Sequence, residues 1–171
     1  MHYATIKKND IADGEGIRVG LYVSGCTRGC PGCHNKEAQN FSYGKPFNAA
    51  TISRLVKALN RKYVEGLSIL GGEPMEPANQ ETISKFLCIV KAECPHKSIW
   101  LYTGCTLETE LLKDGNYWRT EHTDKILSLV DVLVDGPYIE ARKNIMLKFR
   151  GSSNQRILKL HPTVEDISNK G

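Results

Sequence analysis

The chain has 171 residues, 40% hydrophobic and 25% charged, with a formal net charge of +4. That length makes one domain with a real core, and the mild charge, with no dense Lys/Arg run, argues against nucleic acid as a partner. Residues 1–8 hold no apolar signal core and no run approaches a membrane span, so the cytosol is the expected compartment, with no membrane contact.

In chain order, an extended segment over 3–8 leads to a turn at Asp13-Gly14-Glu15-Gly16, then to a strand over 17–23 rich in β-branched and aromatic residues. Asn48 or Thr51 can cap a helix whose apolar face is Ile52, Leu55, Val56, Leu59 and Tyr63. A short strand over 67–70 stops at Gly71-Gly72-Glu73-Pro74. A second amphipathic helix presents Ile83, Phe86, Leu87 and Val90 and ends before Pro95. A third strand, 98–102, closes on Thr103-Gly104, and Thr106 suits the N-cap of a helix with Glu108 and Glu110 in its first turn. A short helix over 124–130 and a strand over 131–135 follow, with further strands expected at 145–149 and 156–160. Residues 1–160 read as one domain and 161–171 as a polar tail.

Alternation of strand, loop and helix argues for parallel strands joined by right-handed crossovers. A closed eight-stranded barrel takes about 250 residues, so the expectation is an α/β fold built as a partial, open parallel β/α barrel. Loops leaving the C-terminal ends of such strands gather on one edge, where sites form. Here they are the cysteine run, Gly-Gly-Glu-Pro, Tyr-Thr-Gly and Asp-Gly-Pro.

Cys26, Cys30 and Cys33 form a C-x3-C-x2-C run directly after the first central strand. Six cysteines in a reducing compartment do not make a disulfide scaffold; Cys88, Cys94 and Cys105 are scattered and taken as incidental thiols. Three clustered thiolates leave one iron of a [4Fe–4S] cube without a protein ligand. A zinc set of Cys26, Cys30, Cys33 and His34 is disfavoured, because His34 adjoins Cys33 and adjacent residues rarely aim at one tetrahedral ion. The Gly71-Gly72-Glu73-Pro74 turn is weak on its own. Beside an open iron, its glycines let backbone carbonyls approach an ammonium group, while an amino acid's amine and carboxylate chelate the iron.

Together the two motifs resemble the radical S-adenosylmethionine superfamily. Within it the chain is similar to the small anaerobic ribonucleoside-triphosphate reductase-activating proteins. Asp13-Gly14-Glu15-Gly16-Ile17-Arg18 resembles the D-G-x-G-I-R stretch of glycyl-radical activating enzymes. The blocks 30–35, 100–104, 132–136 and 150–155 resemble the smaller family's own, and the likeness runs from about residue 3 to 160. The barrel this implies is of the radical S-adenosylmethionine type. One departure is Gly32, where the superfamily commonly has a large apolar or aromatic residue against adenine.

The resemblance implies an oxidoreductase. A reduced [4Fe–4S] cluster on Cys26, Cys30 and Cys33 cleaves S-adenosyl-L-methionine, and the resulting radical takes hydrogen from a glycine of the reductase, leaving a glycyl radical. Gly71, Gly72, Glu73 and Pro74 would receive the methionine amine, with Glu73 bracing the loop. The backbone of Gly32, Cys33 and His34, or the His34 ring, would meet adenine. Thr103 and Asp135 stand at strand ends suited to ribose or methionine, or to turn capping. Reduced flavodoxin is the implied electron donor. The basic C-terminal part, from Arg142 onward with Lys143, Lys148, Arg150, Arg156, Lys159 and Lys170, is a candidate docking surface for an acidic partner or a solvated face. Alternatives are activation of another glycyl-radical enzyme, a small-molecule radical reaction such as deazaguanine ring formation, and a non-catalytic iron–sulfur electron carrier or zinc-binding interaction module.

Overall fold

The computed structural model describes residues 1–161, so all but the first residue of the expected tail lies outside the described residues. Strand β1 (His2–Asp10) pairs antiparallel with β2 (Arg18–Val23), and the two-residue β3 (Lys45–Pro46) pairs antiparallel with the outer side of β1. Helix α1 (Ala49–Leu59) starts where expected, with Asn48 Oδ1 accepting from the Thr51 amide at 3.0 Å. It ends at Leu59 rather than continuing to Tyr63, which is 49% exposed beyond the Asn60 C-cap. Next come β4 (Gly66–Gly71), α2 (Pro77–Glu93), β5 (Ser98–Tyr102), α3 (Thr123–Leu129), β6 (Val132–Asp135) and β7 (Arg156–Lys159).

The seven strands form one open sheet in the order β3-β1-β2-β4-β5-β6-β7. The four central strands β2, β4, β5 and β6 are parallel, as the alternation with helices requires, whereas β1 and β7 run antiparallel to them and β3 pairs antiparallel with β1. The fold is therefore α/β with a mixed sheet, not an all-parallel one. The antiparallel edges have a local cause, since β1 reaches β2 through a short turn and β6 reaches β7 through a loop without a crossover helix.

Side chains alternate along the central strands. Val19, Leu21, Val23, Leu67, Ile69, Ile99, Leu101 and Leu133 join Leu55, Leu59, Ile83, Phe86, Leu87 and Val90 of the helices in the main core. Each of the larger of these side chains contributes about 1.5–3 kcal/mol by leaving water. The opposite sheet face carries Arg18, Tyr22, Ser68, Trp100 and Tyr102 and is polar and aromatic. Arg18 is only 1% exposed on it. Its guanidinium donates to Ser68 Oγ, Leu67 O, Ser98 O, Ser98 Oγ and Glu15 O, and stacks 5.4 Å from the Trp100 ring. Burial lowers its pKa to about 10, which leaves it charged at neutral pH. Arg18 thus ties β2, β4 and β5 together at the end of the sheet away from the cysteine loop.

Two local expectations change. Residues 107–111 form a five-residue π-helical turn, and the Thr106 side chain makes no capping bond. The Glu110 carboxylate accepts from the Thr106 amide at 2.7 Å, and Asp135 accepts from the Leu107 amide at 2.9 Å. Residues 145–149 form turns rather than a strand. Asn144 Oδ1 accepts from the Met146 amide, a side-chain turn that competes with pairing, and Phe149 takes a left-handed φ of 59°.

Candidate iron–sulfur site

The loops leaving β2, β4, β5 and β6 meet, as expected, around one cavity of about 430 Å3. The cysteine loop contributes Cys26, Arg28, Cys30, Cys33 and His34; β4 leads into Gly71, Gly72 and Glu73; β5 leads into Thr103 and Gly104. The loop between β6 and β7 closes one side with Tyr138, Leu147, Phe149 and Arg150. All three clustered cysteines are free and half-buried.

The cysteine loop is held from several directions. The Gly25 amide donates to Ala38 O at 2.7 Å, and the Glu73 amide donates to Gly25 O at 2.9 Å. Gly71 has φ +111°, and a Cβ there would stand 2.6 Å from Val23 O, so only glycine lets β4 turn this close to β2. The Glu76 carboxylate, buried at the start of α2, accepts from the Thr27 amide at 3.0 Å, from Thr27 Oγ1 and from the Tyr117 hydroxyl at 2.8 Å. Arg28, inside the motif, pairs with Glu110 at 2.7 Å and Glu73 at 3.6 Å and lies 4.4 Å over the Trp118 ring. Its nearest signal in the sequence is its place between two cysteines, and that of Glu110 its place in the turn after Thr106; Glu76, Trp118 and Tyr138 carry none.

Glu73 is buried, and its carboxylate accepts from Thr103 Oγ1 at 2.7 Å and from the Met75 and Gly104 amides at 2.8 Å. Burial pushes its pKa up, while these donors and the Arg28 guanidinium work the other way. Every one of those neighbours can donate, so the pocket is built for the carboxylate, and Glu73 braces the loop. Thr103 is committed to the same brace. Asp135 is fully buried outside the cavity wall, accepting from Arg156 Nε at 2.9 Å and from the Leu107 amide. Gly32 and Pro74 are also outside the wall, whereas Cys33 and His34 line it.

The donor set suits a multi-iron centre. Among the described residues no three Cys, His, Asp or Glu side chains gather closely enough for a single ion. A cube takes one thiolate per iron and so wants its cysteines spread over a loop. Burial, together with Glu73, Cys30 and Glu76, pushes the free Cys26 thiol up to about 11, so it is a poor thiolate until a cation stands beside it. Two buried polar atoms on the cavity-lining residues Tyr102 and Arg150, the tyrosine hydroxyl and Arg150 Nε, have no hydrogen-bond partner in the structure. A polar ligand is the ordinary way such atoms are satisfied.

This constellation is that of a domain organised around one iron–sulfur cluster, and residues 12–158 match the family model described as a 4Fe–4S single cluster domain. Three relatives are named anaerobic ribonucleoside-triphosphate reductase-activating protein. The Pasteurella multocida protein is 38% identical over 159 residues, covering 92% of this chain and 96% of its own. The Escherichia coli K12 protein is 38% identical over 91% of this chain and 96% of its own. That of Enterobacteria phage T4 is 38% identical over 92% and 93%. The chain belongs to the family of anaerobic ribonucleoside-triphosphate reductase-activating proteins. Among the described residues no helix is long and apolar enough to cross a membrane.

Proposed function

We propose that this chain activates an anaerobic ribonucleoside-triphosphate reductase as a radical S-adenosylmethionine enzyme. The observation that carries the reading is the set of three half-buried thiols, with no fourth cysteine in their loop, facing a cavity whose wall holds unsatisfied polar atoms. The open sheet with its four parallel central strands is read as the partial barrel of that superfamily. Bound and reduced, a [4Fe–4S] cluster supplies the electron that splits the sulfonium of S-adenosylmethionine, so that the deoxyadenosyl fragment can take a hydrogen atom from a glycine of the reductase.

The chain's own residues would bind and exclude. Cys26, Cys30 and Cys33 would hold the cluster, and the amine and carboxylate of the ligand would supply the donors that the cysteine loop lacks. The Gly71-Gly72 backbone receives the amine, while Glu73 and Thr103 keep that loop fixed. With Gly32 outside the cavity wall, the backbone of Cys33 and His34 and the His34 ring, 5.6 Å from Tyr138, form the adenine side. The open edge of the sheet admits a protein segment and the walls keep bulk water from the reacting atoms.

The test is anaerobic reconstitution with iron and sulfide, reduction, and addition of S-adenosylmethionine, followed by assay for 5′-deoxyadenosine. With the reductase added, a glycyl radical should appear by electron paramagnetic resonance. An intact cluster that gives no 5′-deoxyadenosine would leave a simple electron carrier. Cleavage without a radical on the reductase would point to another glycyl-radical enzyme. Reduced flavodoxin is the proposed donor, tested by replacing the chemical reductant with it.

A further inference from the structure

The cavity rim carries apolar side chains that nothing in the described chain covers. Ile145 is 87% exposed and Met146 83%, at the tip of the loop whose Leu147, Phe149 and Arg150 line the cavity. On the turn between β1 and β2, Ile11 is 75% exposed next to Ala12 and Asp13, which line the same cavity. Single exposed apolar residues need no explanation, but three large ones on two loops flanking one opening mark a contact surface.

The β6–β7 loop is built as a platform. Its base is closed by the bridge between Lys143 and Ser152, by the Ser153 amide donating to Arg142 O, and by the Asn144 amide donating to Gly151 O. Its root touches the cysteine loop twice: His34 meets Tyr138, and the Glu140 carboxylate packs against Gly32 so closely that a Cβ on Gly32 would collide with it. The apolar tip is thus held in fixed relation to the cysteine run.

Charge decides what covers it. Arg142, Lys143 and Lys148 surround the tip and are all exposed, and among the described residues none of them has an ion-pair partner. The one carboxylate on the loop's root, Glu140, faces the cysteine loop. A second copy of this chain would bring the same cations to the contact and so repel, whereas a carboxylate-bearing segment would be attracted.

We propose that Ile11, Ile145 and Met146, with Arg142, Lys143 and Lys148, form the docking surface for the partner protein, gripping a polypeptide segment whose apolar side chains are flanked by carboxylates. The inference rests on the functional reading above and names the surface through which the target reaches the cavity. None of the six side chains lines the cavity, so docking and cofactor handling are separable.

The experiment compares wild type with Ile145→Ser/Met146→Ser and with Lys143→Glu/Lys148→Glu, all reconstituted. Binding to the purified anaerobic ribonucleoside-triphosphate reductase is measured at low and high salt, and S-adenosylmethionine cleavage without reductase reports the state of the site. Each double variant should bind about tenfold more weakly or worse while cleaving normally, and the charge reversal should also flatten the salt dependence. Variants binding within about twofold of wild type would overturn the docking surface and leave the functional reading standing. So would loss of self-association in sedimentation velocity with reductase binding unchanged. A wild-type protein that does not bind the reductase would overturn the functional reading and the docking surface with it.

Discussion

Arg28 stands 3.6 Å from Glu73, joining the cysteine loop to the turn that ends β4. The pair sits where two motifs 45 residues apart in sequence must keep a fixed relation. Arg28 also holds Glu110 and covers Trp118, so a single side chain links the cysteine loop to the segments after β4 and β5.

Replacing Arg28 by Met should therefore loosen the site more than it disturbs the core. A fully buried pair that loses one partner costs about 3–5 kcal/mol. Here Glu73 keeps three hydrogen-bond donors and Glu110 is partly exposed, so about 2 kcal/mol is expected from thermal unfolding of the cluster-free protein. Reconstituted Arg28→Met should retain less iron after gel filtration than Arg28→Lys, which keeps the charge. Equal retention in wild type and both variants would show that Arg28 does not position the loop.

Gly32 directly precedes the third cysteine of the run, and the structure gives a steric reason for a glycine there. Its φ is +69°, and a Cβ there would lie 2.6–2.8 Å from the Glu140 carboxylate. Gly32→Ala should cost roughly 1–2 kcal/mol from the left-handed conformation, plus whatever displacing Glu140 demands. Glu140→Ala in the same chain should recover only the second part. A double-mutant cycle by thermal melting separates them, and an additive cycle would remove Glu140 from the explanation.

The central strands were legible because their apolar runs are bounded by Gly and Pro, and the shared edge of loops followed from parallel connectivity. The antiparallel β7 was not legible as such, since direction depends on whether a crossover helix intervenes, and 136–155 supplies none of useful length. The strand expected at 145–149 has a plausible apolar run, but Asn144 turns the chain with its own side chain. Tyr63 continued the helical spacing, yet nothing in a periodicity marks the stop at Leu59. At the site, the three cysteines and Gly71-Gly72 were legible as neighbours around one cavity because each motif is local in sequence. Arg28, Glu76 and Trp118 did not. Their roles lie in pairings across 41 to 90 positions, and no short pattern records those. Asp135, at a strand end like Thr103, points instead into Arg156 and the π-helical turn.

The Tyr22 hydroxyl lies 2.9 Å from Asp10 Oδ2 and 2.5 Å from Asp13 Oδ2. A phenol has one proton to donate, so two carboxylates cannot both accept from it. Burial beside Asp10 raises the Asp13 pKa, which makes Asp13 the group that carries the second proton at low pH. Its folded pKa lies above the ordinary 3.8, so its contribution to stability is full below 3.8 and is lost as pH rises through the raised folded value. Asp13→Asn keeps a donor toward Tyr22 without the charge. Its melting temperature should exceed that of wild type at neutral pH, and the gap should close as pH falls toward 3.8. A gap independent of pH would mean that Asp13 is not the protonated partner.

Arg18 has surroundings that leave no cheap substitute. It donates to three carbonyl oxygens and two serine hydroxyls in a region it fills almost completely, at 1% exposure. Arg18→Met replaces much of the volume and removes every donor. Each buried acceptor left without a partner costs about 1–3 kcal/mol, and the serine hydroxyls can turn elsewhere. Ser68 already donates to Asp13 O. The expected loss is therefore roughly 3 kcal/mol or more, read by urea unfolding of the cluster-free chain. Arg18→Lys should recover only part of it, since one ammonium cannot reach Ser68, Leu67 and Ser98 together as the planar fork does. Because Arg18 lies at the far end of the sheet from the cysteines, iron content per folded molecule should stay at the wild-type level in both variants. A variant that keeps its stability but loses iron would show that Arg18 serves the site and not the sheet.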